Sequence, residues 1–81
     1  MTLTELRYVV ALAREKHFGR AAAACFVSQP TLSVAIRKLE AELGVTLFER
    51  SMQDVSVTAV GEQVVAQAQQ VLSQVSAIKD M

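Results

Sequence analysis

Apolar side chains recur every three to four positions along most of this chain, and the breaks in that rhythm divide it into elements. Leu3, Leu6, Val10 and Ala13 share one face, which predicts a first helix over Thr2–Lys16. Thr2 and Glu5 stand at the spacing of a capping box that opens it. A second, short helix is predicted over Phe18–Cys25. The run Ala21-Ala22-Ala23-Ala24 favours helix and carries so little bulk that a crossing helix can come close. Phe26 and Val27 then form a turn, placed to plug the core beneath it. A third helix is predicted over Ser28–Leu43, with Ser28 as N-cap, Pro30 tolerated in the first turn and Gly44 as the stop. Its buried stripe is Leu32, Ile36, Leu39 and Leu43, and its opposite side carries Pro30, Ser33, Val34, Arg37 and Lys38.

Beyond Gly44 the period changes. Leu47-Phe48-Glu49-Arg50 and Val55-Ser56-Val57-Thr58 flank a polar turn, and Val55 and Val57 alternate with polar neighbours as in a half-buried strand. Together they predict a two-stranded hairpin. From Thr58 to Met81 the helical rhythm returns through Val64, Ala68, Val71, Val75 and Ile78, with Val65 and Leu72 beside them. At roughly 1.5 Å per residue this helix is about 35 Å long. That is longer than a small domain can cover, so its stripe needs a partner, most simply the same helix of a second chain. The expected fold is mainly α: a winged helix-turn-helix over residues 1–58, with the helix-turn-helix at about 18–37, followed by a linker and dimerisation helix over 59–81. The dimerisation residues would be Val64, Ala68, Val71, Leu72, Val75 and Ile78.

Charge sharpens this picture. Eight Lys and Arg balance eight Asp and Glu, but the two signs are segregated. Residues 1–40 are basic by three charges and residues 41–81 acidic by three, and no acid occurs between Glu15 and Glu40. The start of the third helix therefore presents polar and basic groups without an intervening carboxylate. A solvated surface would account for Lys and Arg, but not for what accompanies them. Gln29 sits at the helix start, where a major-groove reader meets bases, and glutamine can bond adenine at two points. Pro30 and Val34 are apolar groups suited to a thymine methyl, and Ser33 can donate or accept. The Ser28 hydroxyl and the free first-turn amides suit a phosphate. Arg37 and Lys38, further along, suit phosphates or a guanine edge. His17 and Arg20 flank the start of the second helix as backbone contacts. Arg50 in the wing either pairs with Glu49 or Asp54 or reaches a phosphate or minor groove.

Other chemistry finds little footing. With Cys25 alone, no internal disulfide forms and a zinc site lacks ligands. Cys25 reads as a small core residue, since a reactive thiol needs a base and an electropositive setting, and His17 is the only histidine. No triad, paired acid site or phosphate-cradling glycine loop is visible, so an enzyme is not expected, and neither is a cofactor. No apolar run reaches the length of a membrane span, and the start does not read as a signal peptide, which points to the cytoplasm. The competing reading is a winged-helix protein-interaction module, which the zero net charge favours and the acid-free start of the third helix opposes.

The ordered run AA-x-x-C-x-VSQPTLS-x-x-I-x-x-LE-x-ELG-V-x-LFER, followed by a V-x-V-T strand and a Gly61-containing helix, resembles the N-terminal domain of LysR-type transcriptional regulators. The opening TLTELRYVVALA and the stretch KHFGRAAAACFVSQPTLS are most similar to the peroxide-sensing OxyR branch. The resemblance covers essentially the whole chain. It implies dimers or tetramers with antiparallel linker helices, which bind interrupted, often AT-rich palindromes near promoters. It implies Gln29, Pro30 and Ser33 on bases, Ser28, Thr31 and Lys38 on the backbone, and Arg50 in the wing. It also implies a C-terminal effector domain, missing from this chain, that would hold any redox cysteines; Cys25 is then not a sensor. One departure stands out. Many relatives have a second basic residue shortly after the Arg50 position, where this chain has Met52, Gln53 and Asp54.

Overall fold

In the computed structural model, which describes residues 1–52 and 54–81, four helices and one hairpin follow in the order α1 (Leu3–Glu15), α2 (Phe18–Ala24), α3 (Gln29–Leu43), β1 (Phe48–Ser51), β2 (Asp54–Val57) and α4 (Ala59–Lys79). Gln53, noted above in the wing, lies outside the described residues. The expected architecture is the one observed: a winged helix-turn-helix continued by a long helix.

Local capping sets most boundaries. The Thr2 side chain accepts from the Glu5 amide at 3.0 Å, and the Thr2 amide donates to Glu5 Oε1 at 2.8 Å, which closes the capping box of α1. Ser28 caps α3 and Thr58 caps α4 by the same device, each bonding the backbone N–H three residues on. Gly44 ends α3 with φ +71°, the left-handed conformation glycine adopts without strain.

The core lies where α1, α2 and α3 meet the base of the wing. Val9, Leu12, Leu32, Ile36, Leu39, Leu47 and Phe48 are fully buried there. Ala21 and Ala22 are buried too, and their small side chains let α2 sit tightly against its neighbours. The α3 stripe is as expected, with Leu43 partly buried at its end. The α1 stripe is not. Leu6, Val9 and Leu12 are buried, while Leu3 is exposed and Val10 and Ala13 are half-buried. The apolar run YVVALA supports two overlapping stripes at helical spacing, and packing against three other helices selects the one through Val9.

The turn after α2 also differs from expectation. Phe26 is 95% exposed rather than a plug in the core. The amide of Val27 donates to Ala22 O at 3.0 Å and that of Phe26 to Ala23 O at 3.2 Å. This is a Schellman closure, with Phe26 in the left-handed position at φ +58°. Such a closure turns the second residue inward and the first outward, so of the expected pair only Val27 packs on the core.

In the wing, β1 and β2 pair antiparallel with Phe48 opposite Val57 and Arg50 opposite Val55. Val55 is buried and Val57 half-buried, as the alternation predicts. Helix α4 leans on α1, and its buried residues all lie in its first half. Val65 and Ala68 are buried, Val64 packs on the core, and no residue beyond Ala68 is buried. Ala68, expected at a dimer seam, is thus spent inside its own chain, and Val64 largely so. The far half of α4 extends the molecule to 43 Å in its long dimension.

Candidate nucleic-acid interface

Helix α3 turns one face to the core and the other to solvent. On the solvent side, Gln29, Ser33 and Arg37 follow at four-residue spacing, with Pro30, Val34 and Lys38 in the adjoining row. All are exposed except Ser33, which is half-buried. Val34 is 66% exposed, which leaves it open to contact with an apolar base edge. Among the described residues, Arg37 and Lys38 enter no ion pair and Gln29 makes no hydrogen bond, so their polar groups are uncommitted. At the start of the helix, Ser28 Oγ accepts from the Thr31 amide at 3.2 Å and shares a 2.8 Å hydrogen bond with Thr31 Oγ1.

His17, Phe18, Gly19, Gln29 and Met52 line a groove of about 300 Å³ that joins the starts of α2 and α3 to the wing. His17 is the N-cap of α2. Its Nδ1 accepts from the Arg20 amide at 3.1 Å. Arg20 does not line this groove. Its Nη2 donates to the Glu15 carbonyl at 3.0 Å and its Nε lies 3.7 Å from Glu15 Oε1, so it closes the C-terminal end of α1 while staying exposed.

Arg50 pairs with neither Glu49 nor Asp54. Its Nη2 lies 3.3 Å from Glu40 Oε1 on α3, and its guanidinium carbon sits 5.4 Å from the centroid of the Phe18 ring. The register explains the choice. Arg50 shares a strand face with buried Phe48 and stands opposite Val55, so it points inward; Glu49 and Asp54 belong to the other face. Glu40, Phe18 and Met52 are the residues here that sequence reasoning missed. The available signal was the co-occurrence of the LE and LFER motifs, whose partnership is non-local.

Cys25 is half-buried at the end of α2, and burial pushes its thiol above the ordinary value, only partly offset by Arg14. That is the reverse of an activated thiol. Among the described residues no group of three metal-binding side chains gathers, and no helix is long and apolar enough to cross a membrane.

Residues 3–62 match the model of the bacterial regulatory helix-turn-helix protein, lysR family. The chain belongs to this family. All of it aligns with the DNA-binding transcriptional dual regulator OxyR of Escherichia coli K12 at 53% identity, spanning 27% of that protein. A full-length OxyR variant from Pseudomonas aeruginosa superposes with a TM-score of 0.94 at 65% identity, over 99% of this chain and 27% of that one. The DNA-binding domain of BenM, in complex with benA site 1 DNA, superposes with a TM-score of 0.94 at 40% identity, over 100% of this chain and 91% of that one. The chain is therefore similar throughout to the helix-turn-helix part of OxyR and other LysR-type proteins, and it spans about a quarter of the length of the OxyR relatives it matches.

Proposed function

We propose that this domain reads specific double-stranded DNA as one half of a two-fold pair. Helix α3 enters the major groove with Gln29, Pro30 and Ser33 on base edges and Arg37 on a guanine edge or a phosphate. Ser28, Thr31 and Lys38 contact the backbone, with His17 and Arg20 on flanking phosphates and Arg50 serving the wing. The observation that carries this reading is the α3 face itself: six exposed or half-exposed groups of base-reading and phosphate-binding type, uncommitted to the fold and free of acids. The match to a domain whose structure was solved on DNA supports it. The far half of α4, with Val71, Leu72, Val75 and Ile78 left uncovered to different degrees, supplies the surface for the second chain.

Pairing about a two-fold axis requires an interrupted palindrome, with half-sites about one helical turn or a multiple apart. The relatives named hydrogen peroxide-inducible genes activator support a cytoplasmic regulator in the oxidative-stress response, with the sensing chemistry outside these residues. Selection from a random duplex pool, followed by titration at low and moderate salt, tests the reading. A palindromic site bound with a steep salt dependence is the expected result. Failure to enrich any sequence would leave the protein-interaction module as the better account.

A further inference from the structure

Glu40 stands apart from the recognition face, yet it makes three contacts with the wing. Its Oε2 accepts from the amides of Leu47 at 2.8 Å and Phe48 at 3.2 Å, and its Oε1 takes Arg50 Nη2 at 3.3 Å. The Glu40 side chain is only 12% exposed, so these contacts are little screened by water. On its other side the guanidinium is bounded by the Phe18 ring. Phe18 also lines the groove that holds Gln29 and Met52, so the ring that bounds Arg50 is shared with the groove at the start of the recognition helix. A guanidinium has five N–H donors, and the Glu40 contact uses one.

We propose that Glu40 is a positioning residue for DNA binding: it holds Arg50 at the root of the wing so that the remaining guanidinium donors meet a phosphate already ordered. This inference rests on the DNA-binding reading above. It makes a counter-intuitive claim about sign. A carboxylate near a polyanion repels it, so charge alone says that removing Glu40 tightens binding. If Glu40 positions Arg50, its removal weakens binding, because a long side chain must then lose its rotamer freedom on the DNA. The effect must also pass through Arg50.

A double-mutant cycle on the 81-residue chain separates these cases. Binding to the selected duplex is followed by fluorescence anisotropy at several salt concentrations for the wild type, Glu40→Gln, Arg50→Ala and the double variant. Glutamine keeps the size of Glu40, and its amide oxygen still accepts from Leu47 and Phe48, while its NH2 group cannot hold a guanidinium. Glu40→Gln is expected to weaken binding about tenfold when Arg50 is present and less than about twofold when position 50 is Ala. Tighter binding in both backgrounds would make Glu40 a mere repulsive charge. Equal weakening in both would make it only a support for the wing backbone. Either result overturns the proposal while the DNA reading stands; a wild type that binds no selected duplex overturns both. Should Glu40→Gln fail to fold, Arg50→Lys asks the same question. It keeps the charge but loses the fork and the planar stack, and is expected to lose at least about fivefold in affinity with an unchanged salt slope. Wild-type affinity for Arg50→Lys would sink the proposal.

Discussion

Gly61 lies so close to the carbonyl oxygen of Leu47 that a Cβ at position 61 would collide with it. The same Cβ would stand 2.8 Å from Val57 Cγ1 and 3.0 Å from Thr58 Oγ1. Leu47 O also accepts from the Thr58 amide at 3.0 Å and from Thr58 Oγ1 at 3.2 Å, so this corner fastens the base of the wing to the start of α4. Helix propensity alone says that Gly61→Ala stabilises by roughly 0.5–1 kcal/mol. The close approach reverses the sign, because α4 must move away and strain those two hydrogen bonds. Gly61→Ala is expected to destabilise by about 2 kcal/mol, read as a lower midpoint in urea unfolding. An unchanged or higher midpoint would mean that the corner yields freely.

Phe26 gives the opposite expectation at an aromatic position. It occupies the left-handed residue of a Schellman closure, where glycine and asparagine are favoured, and its ring meets little of the protein. Phe26→Asn should therefore raise stability by about 1 kcal/mol. A core plug would instead lose roughly 3 kcal/mol or more on truncation. Urea unfolding distinguishes the two by sign.

The history of Phe26 shows what was legible in the sequence. Caps were legible because they are local: Thr2 with Glu5, Ser28 and Gly44 act on groups within four residues, and each stands where it was expected. The α3 stripe was legible because only one apolar row fits that helix. The α1 stripe was not, since Tyr8 to Ala13 offers two rows and only packing chooses between them. Phe26 was misread because a hydrophobic residue in a turn resembles a plug, whereas the backbone closure sends it outward. In the candidate site, the recognition face followed from helical spacing, but the partner of Arg50 did not. Glu40 lies ten residues away, and strand pairing alone turns Arg50 toward it.

Helix α4 divides at Ala68, and the two halves should respond differently to the same substitution. Ala68 is 2% exposed against its own chain, so Ala68→Glu buries a charge and should cost more than about 3 kcal/mol, read as loss of helical circular dichroism on mild heating. Ile78 is 68% exposed, so Ile78→Glu should leave the fold intact and lower only self-association in sedimentation velocity. Val75→Glu should act in the same direction. A dimer unaffected by both Val75→Glu and Ile78→Glu would place the seam elsewhere.

Gln29 and Lys38 separate specificity from affinity. Both side chains are exposed and make no hydrogen bond or ion pair among the described residues, so alanine at either should change stability by less than about 0.5 kcal/mol. Any larger effect on DNA then belongs to the interface. Gln29→Ala removes a group suited to bond one base edge at two points, and should cost about 1–3 kcal/mol on the preferred duplex and almost nothing on a random one. Lys38→Ala removes a phosphate contact, so it should weaken both duplexes alike and reduce the salt slope by about one. Anisotropy titrations of both duplexes at four salt concentrations read all of these. If Gln29→Ala weakened both duplexes equally, Gln29 would be a backbone contact, and sequence would have to be read further along α3, from Ser33 onward.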